Sequence, residues 1–89
     1  MLPSLKLIED KFLNGIIIEL VSIKDYFAVR LLDGYTPLVF HLSKDQEKAR
    51  EDYITLIQLI ESKRSEVTDY TGITHKIDYG NSWMKVNYN

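Results

Sequence analysis

The stretch Asn14-Gly-Ile-Ile-Ile-Glu-Leu-Val-Ser-Ile23 constrains the fold more than any other part of the chain. In an extended strand, successive side chains point to opposite faces. Ile16, Ile18 and Leu20 therefore share one face, and Ile17, Val21 and Ile23 share the other, with Glu19 as the polar exception among them. A strand with one wet face would alternate apolar and polar residues. This one is apolar on both sides, so each face needs a cover.

Two more apolar runs follow, Tyr26–Leu32 and Tyr35–Leu42, separated from the first and from each other by Lys24-Asp25 and Asp33-Gly34. Asp-Gly between hydrophobic runs is a strong signal for a two-residue hairpin turn. Such turns set the register. Pairing Ile23 with Tyr26 puts Glu19 opposite Arg30, a favourable cross-strand charge pair. Pairing Leu32 with Tyr35 puts Phe27 opposite Phe40. One face of the resulting meander then reads Ile16, Ile18, Leu20, Phe27, Val29, Leu31, Leu38, Phe40 and Leu42, all apolar. Pro37 lacks a backbone donor and suits the edge strand.

Ser-Lys-Asp-Gln at 43–46 has the pattern of a capping box, with Ser43 as the cap and Gln46 reaching back to it. The helix it opens runs to about Ser62. Ala49, Tyr53, Leu56, Ile57, Leu59 and Ile60 form its apolar stripe and should lie on the nine-residue sheet face. Asp45 and Glu47 favour its N-terminus, Lys63 and Arg64 its C-terminus. Before the meander, Ser4 can cap a short helix over Leu5–Leu13 that stops at Asn14-Gly15, with a strand as the other reading. Ser65–Gly72 reads as a loop. The tail reads as a second hairpin turning at Gly80-Asn81, with Ile73, His75, Ile77, Tyr79, Met84, Val86 and Tyr88 on one face. The expected architecture is α+β over a single domain, 1–89: a three-stranded antiparallel meander, one helix on a face, and a C-terminal β-hairpin.

Composition narrows the functions. With 89 residues the core is modest. The absence of cysteine excludes a disulfide framework, a zinc–thiolate site and a cysteine nucleophile. Net charge is −2, and the basic and acidic counts are 4 and 5 over residues 1–42, 5 and 7 over 43–72, and 2 and 1 over 73–89. No segment carries the dense positive field of a duplex-DNA binder. Residues 1–10 do not have the charged leader and apolar core of a signal peptide. The apolar runs fall well short of the roughly 20 residues that span a bilayer. The expected setting is cytoplasmic, with no membrane contact and no cofactor.

The main candidate surface is the second face of the meander: Ile17, Glu19, Val21 and Ile23, then Tyr26, Ala28, Arg30 and Leu32, then Tyr35, Pro37, Val39 and His41. Either the ends of the chain pack over it, or it meets a partner protein or a second copy. Its aromatic, aliphatic and Arg content is what interface cores favour. A second candidate is Trp83 with Lys76 and Lys85, which the tail hairpin brings together, the two lysines opposite each other. An indole beside two cations can stack a base and hold its phosphate, giving a single-stranded nucleic-acid binder as the alternative function. The plainer reading is a packed Trp with two solvated lysines.

Ile54 on the outer helix face reads as an ordinary exposed apolar residue. The acids Glu47, Glu51 and Asp52 read as a solvated helix face, with mimicry of nucleic-acid phosphate as the sharper alternative. His41 and His75, the only histidines, have no metal-ligand spacing around them, so no metal site is expected. No nucleophile–base pair or phosphate loop is evident, so no enzyme is expected. The leading expectation is a non-catalytic protein–protein interaction module: a homodimer or a small regulator or inhibitor of another protein. A phage or mobile-element source is an analogy from compact, Ile- and Lys-rich composition.

Overall fold

In a computed structural model of the chain, the described residues are 4–33, 37–77 and 79. The elements are β1 (Leu5–Leu13), β2 (Ile16–Ile23), β3 (Tyr26–Leu32), β4 (Leu38–Ser43), α1 (Gln46–Glu61), β5 (Glu66–Thr68) and β6 (Thr74–Lys76). Strands β1 to β4 form one antiparallel meander in chain order, and β5–β6 form a separate two-stranded sheet. The class is α+β, as the sequence predicts, with helix and C-terminal hairpin in place. The meander has four strands rather than three.

The added strand is β1, where a short helix was the first reading. Asn14 and Gly15 are the reason. Both adopt positive φ, 52° and 83°. That is the geometry of a type I′ turn, for which Asn-Gly is the preferred pair. The turn folds Leu5–Leu13 back onto β2, from Leu13 opposite Ile16 to Leu5 opposite Ile23. Asn14 does a second job: its Nδ2 donates to the Ile60 carbonyl at the end of α1, 2.9 Å away. Replacing Asn14 by alanine should cost about 1–2 kcal/mol, from the left-handed backbone and the lost hydrogen bond. Asn14→Gly should cost about 1, because glycine keeps the turn. Chemical denaturation of the two variants separates these contributions.

The β2–β3 register matches the reading from sequence, with Ile23 opposite Tyr26 and Glu19 opposite Arg30. The β3–β4 register does not. Leu31 faces Leu38, Arg30 faces Val39, Val29 faces His41 and Phe27 faces Ser43, with a bulge at Phe40. The connection is therefore longer than the two-residue Asp33-Gly34 turn, whose second residue lies outside the described set. Pro37 precedes β4 rather than sitting within it.

A bulge breaks the alternation of faces. Phe40 and His41 both lie on the helix side, their rings stacked with centroids 4.3 Å apart. Leu42 passes to the other side and is exposed. The predicted apolar face holds elsewhere: Ile16, Ile18, Leu20, Val29, Leu31 and Phe40 are buried in one cluster, with Phe27 and Leu38 packed against it.

Helix α1 supplies the other half of that cluster through Ala49, Tyr53, Leu56 and Ile60. Its cap is Asp45, whose carboxylate accepts from the Glu47 amide at 2.9 Å. Ser43 is not the cap. It is still paired with Phe27 in β4, and its hydroxyl accepts from the Asp45 amide at 3.0 Å. The helix closes with Lys63 in the left-handed region and Arg64 N–H donating to the Leu59 carbonyl, a Schellman ending.

The segment 65–72, read as a loop, contributes β5. Glu66, Val67 and Thr68 face Lys76, His75 and Thr74. The hairpin thus turns at 69–73, where Asp69 ties the turn together. The turn proposed at Gly80-Asn81 lies outside the described residues. Val67 and Ile77 join the main core, and the Tyr79 hydroxyl donates to the Arg64 carbonyl.

Candidate functional site

The helix covers one face of the meander. The register places the residues of the other face in four rows across the strands. They run Phe12, Ile17, Leu32; then Asp10, Glu19, Arg30, Val39; then Leu7, Val21, Ala28, Leu42; then Leu5, Ile23, Tyr26. Leu5, Leu7, Phe12, Ile17, Tyr26 and Leu42 are all exposed, from 37 % to 58 %. Apart from these, the exposed large apolar residues among those described are Ile54 on the outer side of α1 and Tyr70 and Ile73 on the β5–β6 turn. Exposed apolar surface is thus concentrated on one sheet face.

A single ion pair interrupts it. Arg30 donates to Glu19 Oε1 through Nη2 at 2.6 Å and through Nε at 3.1 Å. Both side chains keep about a fifth of their surface open to water (20 % and 17 %). The pair lies on the two inner strands, the middle of the face. On β1 the Glu19 neighbour is Asp10, exposed and of the same charge. At the opposite corner the Lys44 ammonium sits 5.4 Å from the Tyr26 ring centroid.

The nine residues proposed from sequence as a partner surface divide into groups. Ile17 and Tyr26 are exposed on this face, and Glu19, Ile23, Arg30 and Val39 are half-buried on it. Val21 and Ala28 are also on it but fully buried, so a charge introduced there would disrupt folding as well as binding. His41 does not belong to it. The Phe40 bulge turns His41 to the helix side, where its Nδ1 lies 3.0 Å from Asp52 Oδ2.

Sequence reasoning missed Leu5, Leu7 and Phe12 because a helical reading of 5–13 puts them elsewhere. It missed Leu42 because the bulge was not visible. The signal for the first three was present in the Asn14-Gly15 pair.

Asp52 is buried on α1 and holds both His41 and, at 3.7 Å, Lys48. It was read as part of a solvated acidic face, yet it sits in the apolar stripe beside Ala49, Tyr53 and Leu56. An acid in such a stripe needs partners, and His41 and Lys48 are those partners.

Asp69 is the other organising carboxylate. Its Oδ1 accepts from the Thr71 amide (2.8 Å), the Thr71 hydroxyl (2.5 Å) and the Ile73 amide (3.0 Å). Its Oδ2 lies 2.7 Å from His75 Nε2. The Thr71 hydroxyl and the His75 ring, with the two amides, hold its carboxyl well below the usual carboxylate range. A depressed folded-state value stabilises above the unfolded value and is lost as the pH falls below it. The β5–β6 hairpin should therefore lose amide-exchange protection as the pH drops below about 4. Asp69→Asn should show weakened protection already at neutral pH and little further change over that window.

His75 and Lys76 line a groove of about 400 Å³ with Tyr70, Ile77 and the start of β4. Lys76 faces Glu66 across the hairpin. Trp83 and Lys85, its companions in the nucleic-acid reading, lie outside the described residues. Among the described residues no three His, Asp or Glu side chains converge in a way that could hold a metal ion, and no helix is long and apolar enough to cross a membrane.

No protein-family model matches the chain, and neither the curated proteins nor the solved structures include a significant match.

Proposed function

We propose that the chain is a non-catalytic protein-interaction module whose contact surface is the meander face opposite α1. The observation that supports this is the placement of Leu5, Leu7, Phe12, Ile17, Tyr26 and Leu42, exposed together around one ion pair. Contiguous apolar patches rimmed by polar groups mark interaction sites, because water exclusion from them favours association. The aliphatic side chains and Tyr26 supply contact area. Glu19 and Arg30 restrict how a partner sits, since a partner that lays hydrocarbon over them strips water from both charges and returns no polar contact. The setting that goes with this reading is cytoplasmic.

Charged substitutions at exposed positions of the face test it. Leu7→Lys and Leu42→Asp should keep the far-ultraviolet circular dichroism and melting of the wild type while dissolving its assembly, whichever partner the assembly contains. Ile54→Lys, on the opposite side of the molecule, should leave the assembly whole. An assembly of unchanged mass in the Leu7 and Leu42 variants would refute the reading.

A further inference from the structure

We propose that the occupant of this face is a second copy of the same chain, docked face to face about a two-fold axis parallel to the strands between β2 and β3. This rests on the interaction reading above and adds the partner and the register. The pattern of the rows carries it. Such an axis lays β2 over β3 of the second copy and β1 over β4. Glu19 then faces Arg30 of the second copy, and Arg30 faces its Glu19. In the next row Leu7 faces Leu42, in the two outer rows Ile17 faces Leu32 and Ile23 faces Tyr26, and Asp10 at the sheet edge faces Val39.

A two-fold axis across the strands fails on the same rows. It sets Glu19 over Val21, Arg30 over Ala28 and Asp10 over Leu7, so that all three charges meet hydrocarbon, whereas the strand-parallel axis leaves only the exposed edge residue Asp10 against an apolar side chain. An isologous contact needs a surface complementary to itself, and the strand-parallel axis meets that requirement at every central pair of the face, Glu19 with Arg30 included. Sheets packed this way rotate by about 30° from alignment, which leaves the central Glu19 and Arg30 pairs in register and spreads the corners.

The size is adequate. Four strands about 4.8 Å apart and about 23 Å long cover roughly 450 Å² in projection. Side-chain relief brings the accessible area to the order of 600 Å² per copy, the lower end of what stable dimers bury.

The chain has no cysteine, so single cysteines report distances without interference. In the proposed dimer Leu7 of one copy lies over Leu42 of the other across about 10 Å. Within one copy β2 and β3 separate these two positions. An equimolar mixture of Leu7→Cys and Leu42→Cys, treated with a short bis-maleimide, should yield the mixed covalent dimer. Its yield should exceed those of both self-linked dimers at least tenfold. A second measurement uses the charges. Glu19→Arg and Arg30→Glu should each weaken dimerisation at least tenfold, and mixing the two should restore it as a heterodimer in native mass spectrometry.

A wild type that stays monomeric at high concentration overturns the second-copy proposal, whether the face then belongs to another protein or to the chain's own C-terminal residues. A dimer whose 7–42 link forms no faster than its self-links overturns the register while leaving the face in use. A dimer in which cysteines at 7 and 42 react with maleimide as fast as in unfolded chain overturns both this proposal and the interaction reading beneath it.

Discussion

Leu56→Ala will destabilise the fold by about 2–5 kcal/mol, the range for truncating a large aliphatic side chain in a closed core. Leu56 has no exposed surface. It stands in the middle of the α1 stripe, on the helix that roofs β2, β3 and β4, in one cluster with Ile18, Leu20 and Val29. Those neighbours belong to a hydrogen-bonded sheet and cannot collapse into the space left behind. Domains of this size have only about 5–10 kcal/mol of stability to lose, so the melting temperature should fall by about 10 °C or more. Ile54→Ala is the internal control. It lies two residues earlier on the same helix, 47 % exposed, and should change stability by less than about 0.5 kcal/mol. Equal effects at the two positions would mean that α1 does not pack on the sheet as described.

Ile17→Lys will separate association from folding. Ile17 is on β2 between Phe12 and Leu32, and 37 % of it is open. In the monomer a lysine there can lay its methylenes along the sheet and keep its ammonium in water. Folding should therefore change by no more than about 1 kcal/mol. In the dimer the same ammonium has no counter-ion within the apolar row it faces, and burying it unpaired costs several kcal/mol. Dissociation constants should rise by at least tenfold, about 1.4 kcal/mol. Sedimentation across a concentration series, with circular dichroism on the same samples, reads both quantities. A variant that unfolds would show that Ile17 is core; a variant that still associates would show that the contact lies elsewhere.

Much of the fold was legible because strand alternation is a strong signal in this chain. Ile16, Ile18 and Leu20, then Val29 and Leu31, are core residues for the reason their spacing gives, and the Lys24-Asp25 turn set the Glu19–Arg30 pairing in advance. The helix was legible from its stripe. What failed was local geometry of one residue. The bulge at Phe40 exchanged the faces of His41 and Leu42, and a second irregularity beside Ile8 lets that residue and Glu9 both turn toward the helix, where Glu9 meets Arg50. A bulge leaves no mark in a hydrophobic pattern until the partner strand is known.

The error at β1 was different. Leu5, Ile8 and Phe12 fit a helical stripe as well as a bulged strand, and nine residues do not separate the two periods. Asn14-Gly15 was the deciding feature, and it serves a helix stop and a hairpin equally until β2 is seen to need a neighbour. The strand Glu66–Thr68 was hidden in a segment that reads as loop for a related reason. Glu66-Val67-Thr68 is too short to show alternation, and what holds it is the Asp69 carboxylate, a side-chain contact that no periodicity records. The candidate surface was half legible: its β2 and β3 residues followed from one apolar run, while its outer rows depended on β1 and on the bulge.

The most direct measurement is the solution mass of the wild-type chain, by light scattering over a hundredfold range of concentration. A reversible species of twice 10.4 kDa is expected, giving way to the single chain on dilution, with the transition moved to at least tenfold higher concentration by Ile17→Lys. A mass of 10.4 kDa at every concentration would contradict the dimer and show that the face opposite α1 is not where two copies meet.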